Sequence, residues 1–417
     1  MAVRFVHTAD LHLDSPLVSL ALRDPALAEE VGTATRTALS RIVDLCLAEA
    51  VDALLIAGDL WDGAQGSAKT PRFLRQELAR LGAAGIRSFL IRGNHDAMSK
   101  VTRELEPPPG THVFGGRAAT EVFEAAGCTI AVHGLSFAQE SAPESLLPRY
   151  PAPVPGAVNI GMMHTSLNGS PGHDNYAPCA VADLDAQGYD YWALGHIHRR
   201  AEYRGRSVVV MPGMPQGRDI GESGEKTVTL VTVADDGTVT TEPRAVAPLR
   251  FERVELDLSG IADWAALPGR LASALRDAAA GAAGTALVLR PVLVGVTPLA
   301  WRIGRDLDRV TEEARAAAEA IGGVWIDKLE ARVSGGDVQA GRLPADLLRL
   351  LNDDLPRDAG LAAQLRKTAE ELLHDLPPEL RGLLGEDEAA LDAACAALLA
   401  TGTAQLLARL APGGEEG

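Results

Sequence analysis

Short apolar runs that end in polar turns alternate with helix-like segments over the first hundred residues. Residues 3–6 (VRFV), 53–57 (ALLIA) and 86–91 (IRSFLI) read as buried strands, because each is short, apolar and bounded by turn residues. Residues 35–50 have apolar side chains at helical spacing, and a second helix is predicted over about 71–81, with proline in its first turn. Strands that alternate with helices favour a sheet of parallel strands joined by helical crossovers.

The pattern changes after Pro107–Gly110, where strand-like runs follow one another with fewer helices. These runs are residues 121–124, 128–133, 158–163, 190–194, 207–211, 227–233 and 238–243. Together with the first three strands they predict a two-sheet α/β domain over residues 1–248. A chain of 417 residues is expected to contain more than one such domain.

The remainder is predicted to form two further regions. Residues 249–335 read as a smaller α/β domain, with strands at 251–257, 285–294 and 324–333 and helices at about 261–280 and 305–321. Residues 336–417 are rich in Leu and Ala and read as a helical tail, whose helical pattern covers about 339–411.

Composition indicates the setting of the chain. No run of 18 apolar residues is present, so no transmembrane helix is predicted, and the N-terminus lacks the basic and apolar regions of a signal peptide. The four cysteines are far apart and form no C-x-x-C pair, which favours a reducing cytoplasm over a disulfide framework or a thiolate zinc site. The formal charge of -17 argues against a chain that coats nucleic acid or membranes along its whole length.

Five polar motifs fall at five separate strand ends. They are Asp10-x-His12, Gly58-Asp59-x-x-Asp62, Gly93-Asn94-His95-Asp96, a single His164, and Gly195-His196-x-His198. Any one of them has an ordinary structural explanation, although a strand places both side chains of an H-x-H pair on one face. Together they supply roughly the number of oxygen and imidazole ligands that two divalent metals and a bridging carboxylate require. The mixture of Asp, Asn and His suits Mn, Fe or Zn better than a pure Mg²⁺ site.

In this order, the five motifs resemble those of the calcineurin-like metallophosphoesterase superfamily. Longer stretches are similar to its DNA repair exonuclease branch, the SbcD-like and YhaO-like proteins; they are residues 7–16, 164–166, 172–174, 176–178, 189–196 and 215–218. The resemblance covers residues 1 to about 245 and implies a two-sheet αββα sandwich. More weakly, it implies that an α/β cap domain and a helical tail follow.

The resemblance also implies a role for each motif residue. The first metal's ligands would be Asp10, His12, Asp59 and His198, and the second metal's would be Asp59, Asn94, His164 and His196, with Asp59 bridging. His95 would protonate the leaving oxygen, and Asp62 would hold the imidazole of His95 in the required tautomer. His173 lies in a family-typical loop and receives no ligand role. His7 and His133 are predicted to be core residues or to support the ligands.

The implied reaction is the hydrolysis of phosphodiester bonds in DNA with the help of two divalent metal ions. Mn is the expected metal, and Fe, Zn and Mg are the alternatives. An SMC-like (SbcC-like) ATPase on a separate chain is the implied partner, family members are often homodimers, and no membrane contact is expected. The helical tail is either a docking element for this ATPase or a small subdomain that buries its own face. Two other functions stay open: a phosphoesterase for small phosphodiesters or phosphoproteins, and a non-catalytic scaffold, against which the complete motif set argues.

Basic side chains near the motifs are the candidates for DNA contacts. Residues 199–206 hold four Arg and one Glu directly after His198. The predicted contacts to DNA phosphates come from Arg199, Arg200, Arg204, Arg206 and Arg218. Residues 69–103 are also rich in basic side chains, which either face DNA or only solvate the outer face of a helix.

Overall fold

The computed structural model describes most of the chain, in two compact units. The described residues are 2–15, 25–61, 69–98, 106–137, 139, 142–167, 176–282, 285–335, 344–375 and 387–410. The first unit comprises residues 1–252 with 284–288, and the second comprises residues 253–283 with 289–417. The boundaries expected at 248 and 335 stay predictions.

The described part of the first unit contains twelve strands and four α-helices. The strands are β1 (Val3–Thr8), β2 (Ala53–Ala57), β3 (Arg87–Ile91), β4 (Thr111–Val113), β5 (Ala119–Ala125), β6 (Cys128–Gly134), β7 (Val158–His164), β8 (Tyr191–Gly195), β9 (Ala201–Arg204), β10 (Val208–Met211), β11 (Thr227–Val233) and β12 (Val239–Ala245). The helices are α1 (Pro25–Ala48), α2 (Lys69–Ala83), α3 (Asn94–Met98) and α4 (Val181–Gln187).

The strands form two six-stranded sheets. The first sheet has the order β12-β11-β1-β2-β3-β4, and the second has the order β5-β6-β7-β8-β10-β9. Strands β1 to β4 run parallel, as do β6, β7, β8 and β10. Antiparallel strands complete the sheets at β11, β12, β5 and β9. The predicted two-sheet α/β fold is therefore confirmed.

Apolar side chains fill the space between the two sheets. Phe5, Leu55 and Phe89 of the first sheet belong to one buried cluster with Ile160 and Tyr191 of the second sheet. Successive side chains of a strand point to opposite faces, so the neighbouring residues of the same strands face outward. The sheets thus share one core between them and keep a second apolar face for helices.

Helices cover these outer faces. On the first sheet, α1 and α2 bury their apolar stripes against the strands; the cluster includes Val6, Leu39, Ile42, Leu54, Leu74, Leu78 and Leu90. On the second sheet, Leu184 of α4 packs with Trp192 and Leu194 of β8. The resulting order is helix, sheet, sheet, helix.

The described residues also contain a smaller sheet and six further α-helices. The sheet contains β13 (Leu249–Asp257), β14 (Ala286–Val296), β15 (Val324–Ile326) and β16 (Glu330–Ser334). The helices are α5 (Leu267–Gly281), α6 (Ala300–Arg305), α7 (Leu307–Ile321), α8 (Ala345–Arg349), α9 (Ala359–Asp375) and α10 (Glu388–Leu410). The predicted helical character of the C-terminal region is confirmed. Among the described helices, none is long and apolar enough to cross a membrane.

Several elements differ from the sequence-based expectations for physical reasons. Strands β4 and β9 and helix α4 were not expected, since β9 is a polar edge strand and α4 buries only Leu184. Helix α1 begins ten residues before the expected start, in a segment that contains Gly32 and reads as weakly helical. The strand expected over 324–333 is divided into β15 and β16, because Asp327 turns the chain by bonding to the Leu289 carbonyl and pairing with Arg290.

Candidate metal centre

The polar motifs come together because parallel strands end at the same edge of their sheets. Asp10 follows β1, Asp59 follows β2 and Asn94 follows β3, while His164 closes β7 and His196 follows β8. The loops after β1 and β2 run side by side: the backbone N–H of Asp10 donates to the Gly58 carbonyl at 3.0 Å. The two sheets therefore contribute side chains to one cluster, as expected for the carboxyl ends of parallel strands.

Backbone strain is concentrated at these loops. Asp10, His12, Asp59 and His196 have positive φ angles of 53°, 41°, 51° and 105°. Residues other than glycine seldom adopt this left-handed region, and a structure keeps such strain only where its surroundings enforce it. Strained backbone at four of the seven expected ligands is typical of a functional site.

Glycine residues allow the loops after β2 and β3 to pack closely against the expected ligands. A Cβ atom on Gly93 would lie 2.1 Å from Asp59 Oδ1 and 2.8 Å from His164 Cε1. Gly58 has a φ of +96°, and its Cβ would lie 2.4 Å from His164 Nδ1. The backbone therefore approaches the carboxylate and the imidazole more closely than any other residue type permits.

The expected ligands form two groups of three. In the first ligand group, Asp10, His12 and His198 bring their ligand atoms within 4.8 Å of one another. In the second ligand group, Asp59, His164 and His196 do the same. Asn94 joins the second ligand group, with its Oδ1 atom 3.1 Å from His164 Nε2.

Asp59 and Asp10 connect the two groups. Asp59 Oδ2 lies 3.3 Å from His164 Nε2 and 4.0 Å from His12 Nε2, so one carboxylate faces a ring of each group. The Asp10 carboxylate accepts a hydrogen bond from the backbone N–H of His196 at 3.0 Å. The Asp59 carboxylate therefore faces both ligand groups.

The hydrogen bonds of His164 test whether a cation fits this site. Its Nδ1 lies 2.9 Å from the Ala57 carbonyl, which only accepts, so Nδ1 carries a proton. A neutral ring then directs the Nε2 lone pair at Asp59 Oδ2 and Asn94 Oδ1, a contact between acceptors that a bound proton or metal cation relieves. The set of donors fits a divalent metal.

Burial and the charges within this cluster shift the pKa values of its ionisable side chains. Burial alone would lower the pKa of His164, but the Asp59 carboxylate raises that pKa to about 9. Burial would raise the pKa of Asp59, but His164 and His12 hold it well below the ordinary value. Burial raises the pKa of Asp10. A ring and a carboxylate that favour opposite charges stabilise each other, as paired groups at functional sites do.

His198 is supported by a carboxylate that the sequence analysis did not identify. Its Nδ1 lies 2.8 Å from Glu222 Oε1, while its Nε2 lies 3.2 Å from His12 Nε2. Glu222 in turn accepts from Arg218, both from the guanidinium (2.7 Å) and from the backbone N–H (2.7 Å). Burial would raise the pKa of Glu222, but the bonds from His198 and Arg218 lower it. No spacing rule connects residue 222 to a histidine pair at 196–198.

Asp96 belongs to an expected motif but had no expected role. Its Oδ2 accepts from the backbone N–H of Gly93 at 3.0 Å, and its Oδ1 accepts from that of Leu60 at 2.9 Å. Burial, together with the nearby Asp59 carboxylate, raises the pKa of Asp96 to about 8. The side chain thus connects the loops that carry Asp59 and Asn94, in the manner of a capping box at the start of α3.

His95 lies at the surface beside the buried ligands. Its backbone N–H donates to Asp59 Oδ1 at 3.1 Å, and its ring packs edge-on against His12 with centroids 5.2 Å apart. The side chain is exposed. Asp62, the expected orienting residue, and His173 lie outside the described residues.

His7 and His133 occupy the core. His7 Nε2 donates to the Leu194 carbonyl at 3.0 Å, and its Nδ1 accepts from the Tyr191 hydroxyl at 2.8 Å. Burial lowers the pKa of His7 to about 3. His133 is held by Thr120 at 2.8 Å and by Asn159 at 3.0 Å. These rings contact side chains and carbonyls of the fold.

The expected DNA-contacting arginines differ in their surroundings. Arg200 and Arg204 both pair with Glu202, and Arg204 also donates to Thr241 of β12 at 2.8 Å, so these side chains connect the edges of the two sheets. Arg199 and Arg206 are exposed. A cleft of about 670 Å³ beside His198 is lined in part by Arg199, Arg200 and Lys226.

Comparison with known families agrees with this geometry. Residues 3–200 match the family described as calcineurin-like phosphoesterase, and residues 251–334 match the middle domain of the metallophosphoesterase YhaO. The chain therefore carries a calcineurin-like metallophosphoesterase domain, followed by a YhaO-type middle domain. Its family and its two ligand groups support a dinuclear divalent metal site and hydrolase chemistry on phosphoesters.

Three relatives illustrate the range of the family. The chain is 34% identical over 266 residues to the uncharacterized metallophosphoesterase YhaO of Bacillus subtilis, covering 63% of this chain and 65% of that protein. It is 26% identical to the DNA double-strand break repair protein Mre11 of Methanopyrus kandleri, covering 51% and 49%. It is 25% identical to the SbcD subunit of the nuclease SbcCD of Bacillus subtilis, covering 55% and 66%. Each match spans less than two thirds of the relative's length.

Proposed function

We propose that this chain is a nuclease that hydrolyses phosphodiester bonds in DNA and works with a separate SMC-like ATPase in DNA repair. The observation that carries the proposal is the shared carboxylate of Asp59, which faces both ligand groups and also holds the backbone of the exposed His95. DNA as the substrate is supported by the relatives named as the repair protein Mre11 and the nuclease SbcCD.

In this proposal the residues have the following roles. The metal ligands are Asp10, His12, Asp59, Asn94, His164, His196 and His198, with Asp59 shared by both ions. Two bound dications, with Mn²⁺ preferred, supply Lewis-acid activation of water and neutralise charge on the phosphoryl oxygens. His95 donates a proton to the departing oxygen, which general-acid catalysis of this bond requires. Asp62 orients the ring of His95.

The position of His95 supports its role. Its backbone is fixed by Asp59, so the ring stays beside the ligands while its exposed side can reach a substrate oxygen. The neighbouring ligands are buried, which excludes bulk water from their inner faces and strengthens their electrostatic interactions. A rigid set of ligands beside an accessible proton donor suits in-line cleavage of a phosphodiester.

The helical tail supports the proposed partner. Leu372 on α9 and Leu398 and Leu406 on α10 are large apolar side chains that stay exposed. An apolar face that a helix leaves exposed can dock against a helix of another chain. We propose that this tail binds the ATPase subunit, and that the complex functions in the cytoplasm.

A second candidate is a phosphoesterase for small phosphodiesters or phosphoproteins. It is favoured by the intramolecular ion pairs of Arg200, Arg204 and Arg218, which engage three of the five side chains expected to contact DNA. A small substrate would need fewer phosphate contacts than a duplex.

An assay with two substrates separates these candidates. The full-length protein is incubated with Mn²⁺ and either end-labelled duplex DNA or bis(p-nitrophenyl) phosphate, with and without the ATPase. We expect both substrates to be cleaved. Hydrolysis of the small diester alongside intact DNA in every condition would reject the nuclease and leave the second candidate.

The same assay tests the role of His95. His95→Ala should lower turnover by about 10²- to 10⁴-fold, the usual contribution of a general acid, while metal binding measured by calorimetry is retained. His374→Ala, at an exposed histidine of α9, is the matched control and should match wild type in the arm without the ATPase. Wild-type turnover in His95→Ala would remove His95 from its role.

A further inference from the structure

The side of the His198 ring that faces away from the first ligand group contacts a carboxylate. His198 Nδ1 lies 2.8 Å from Glu222 Oε1 and 3.3 Å from the Arg218 guanidinium, so the carboxylate is its nearer partner. His164 Nδ1 faces the backbone carbonyl of Ala57 instead. A carboxylate that accepts a hydrogen bond from Nδ1 keeps the proton on that nitrogen. The lone pair is then on Nε2, on the opposite side of the ring from the carboxylate. In His198 the Nε2 atom faces His12 Nε2 at 3.2 Å, inside the first ligand group.

Glu222 is itself held in place by its own loop. Arg218 donates to Glu222 Oε1 through its guanidinium at 2.7 Å and to Glu222 Oε2 through its backbone N–H at 2.7 Å. The Glu222 side chain is largely buried, so a carboxylate there needs these charged partners to remain ionised. A Cβ atom on Gly217 would lie 2.7 Å from the Glu222 carbonyl oxygen, so the loop packs closely on itself.

The loop is also attached to the start of β13. Gln216 is buried; its amide nitrogen donates to the Leu249 carbonyl at 2.9 Å, and the backbone N–H of Gly224 donates to the Phe251 carbonyl at 2.9 Å. The loop is therefore fixed at both sides of Glu222. A carboxylate held this firmly restricts the ring that it contacts to one orientation and one tautomer.

We infer that Glu222 is the positioning residue for His198, with Arg218 holding Glu222 in place. Glu222 makes Nε2 of His198 available as a metal ligand in the first ligand group, and Arg218 has this supporting role in place of the DNA contact expected from sequence. The inference rests on the proposed function, since it assigns His198 to a metal. It predicts that substitution of Glu222 weakens metal binding by the first ligand group and leaves metal binding by the second ligand group unchanged.

The test measures Mn²⁺ binding to the full-length protein by calorimetry. Wild type should bind two ions, and Glu222→Ala should weaken one of them by about ten- to a hundredfold, the usual effect of removing such a partner. Glu222→Gln should weaken the same site by about tenfold, because a neutral amide is a poorer acceptor and no longer matches the charge of Arg218. Glu225→Gln removes an exposed carboxylate from the same cleft and should match wild type.

Electron paramagnetic resonance provides a second readout that a merely structural role would not change. Mn²⁺ is added to one equivalent more than is needed to fill the stronger site. Wild type should then show a spin-coupled pair of ions, whereas Glu222→Ala should show isolated Mn²⁺. Thermal unfolding of the metal-free variants shows whether they are folded. If Glu222→Ala does not fold, the inference is tested with Glu222→Gln. Wild-type affinities in the folded variants, or equal losses at both sites, would overturn the inference. If wild type binds no Mn²⁺, it is the proposed function that fails.

Discussion

The two ligand groups are built in different ways. In the second ligand group, the His164 side chain is 1% exposed and bonds to the Ala57 carbonyl inside β2. In the first ligand group, the His198 side chain is 24% exposed and depends on Glu222, a residue of a loop. The packed strands of the two sheets therefore position one half of the centre, and a loop outside those strands positions part of the other half.

This difference teaches that the two halves should respond to different kinds of change. The second ligand group should fail when backbone packing at the strand ends is disturbed, since its ring and carboxylate are surrounded by backbone. The first ligand group should fail when side-chain contacts of the loop are lost, as the Glu222 experiment tests. Substrate should approach from the side of His198 and His95, where ring surface is exposed.

Gly93→Ala is the variant that should disturb the second ligand group most. The added Cβ would lie 2.1 Å from Asp59 Oδ1 and 2.8 Å from His164 Cε1, so the loop or the carboxylate must move by about 1 Å. We expect turnover of a small diester to fall by about a hundredfold, because displacements of this size in an active site cost that much. Calorimetry should show a loss of Mn²⁺ affinity at both sites that is larger at the second ligand group, because Gly93 lies against both Asp59 and His164, whereas the first ligand group shares only Asp59.

Gly32→Ala is the control for this variant. Gly32 lies in α1, where an added Cβ would have no neighbouring atom within 4 Å, and alanine in a helix interior is more stable than glycine by about 0.5–1 kcal/mol. Its turnover should match wild type and its melting temperature should rise slightly. Normal activity of Gly93→Ala, or equal loss of both metal sites, would end the distinction between the two halves.

His7 connects the strands that lead to both halves, and its burial makes the stability of the fold depend on pH. It lies on β1, before Asp10, and its ring bonds to Tyr191 and Leu194 on β8, before His196. Burial lowers its pKa from 6.5 to about 3, so between these values the unfolded chain binds a proton that the folded protein does not. This contribution to stability is complete above pH 6.5 and is lost as the pH falls toward 3.

Urea unfolding of the metal-free protein measures this effect. From pH 7 to pH 5, His7 should lower the free energy of unfolding of wild type by about 2 kcal/mol. His7→Gln keeps a donor for the Leu194 carbonyl but has no titrating ring, so its loss over the same range should be smaller by that amount. The same pH dependence in both proteins would show that other groups account for it.

The clustering of the expected ligands could be predicted from the sequence, because these residues follow strands directly. Asp10, Asp59 and His164 come at the ends of apolar runs, and the ends of parallel strands meet whatever the details of the loops. The same argument predicted two sheets. Their packing against α1 and α2 follows from ordinary helical and strand periodicities.

The supporting contacts could not be predicted in this way. Glu222 reaches His198 across 24 residues through a loop whose course depends on its attachment to Leu249, which no local pattern reveals. Arg200 and Arg204 are predicted phosphate contacts because they follow a histidine motif. The sequence did not reveal that Glu202 of β9 lies between them and pairs with both. Contacts of this kind depend on which edges of the fold meet, and that information is not local.

A substitution on the exposed side of the first ligand group should have the smallest effect, a modest loss of affinity for DNA. Arg199 is exposed directly after His198, whereas Arg204 is paired with Glu202 and bonded to Thr241. Fluorescence anisotropy with duplex DNA at several salt concentrations should show that Arg199→Ala weakens binding a few-fold and reduces the salt slope by about 1. Arg204→Ala should leave DNA affinity unchanged and lower stability by at most about 1 kcal/mol, since its ion pair is half exposed. If both variants weaken binding equally, DNA reaches past the His198 side to the edge formed by β9, and the approach of substrate is broader than the exposure of the two ligand groups indicates.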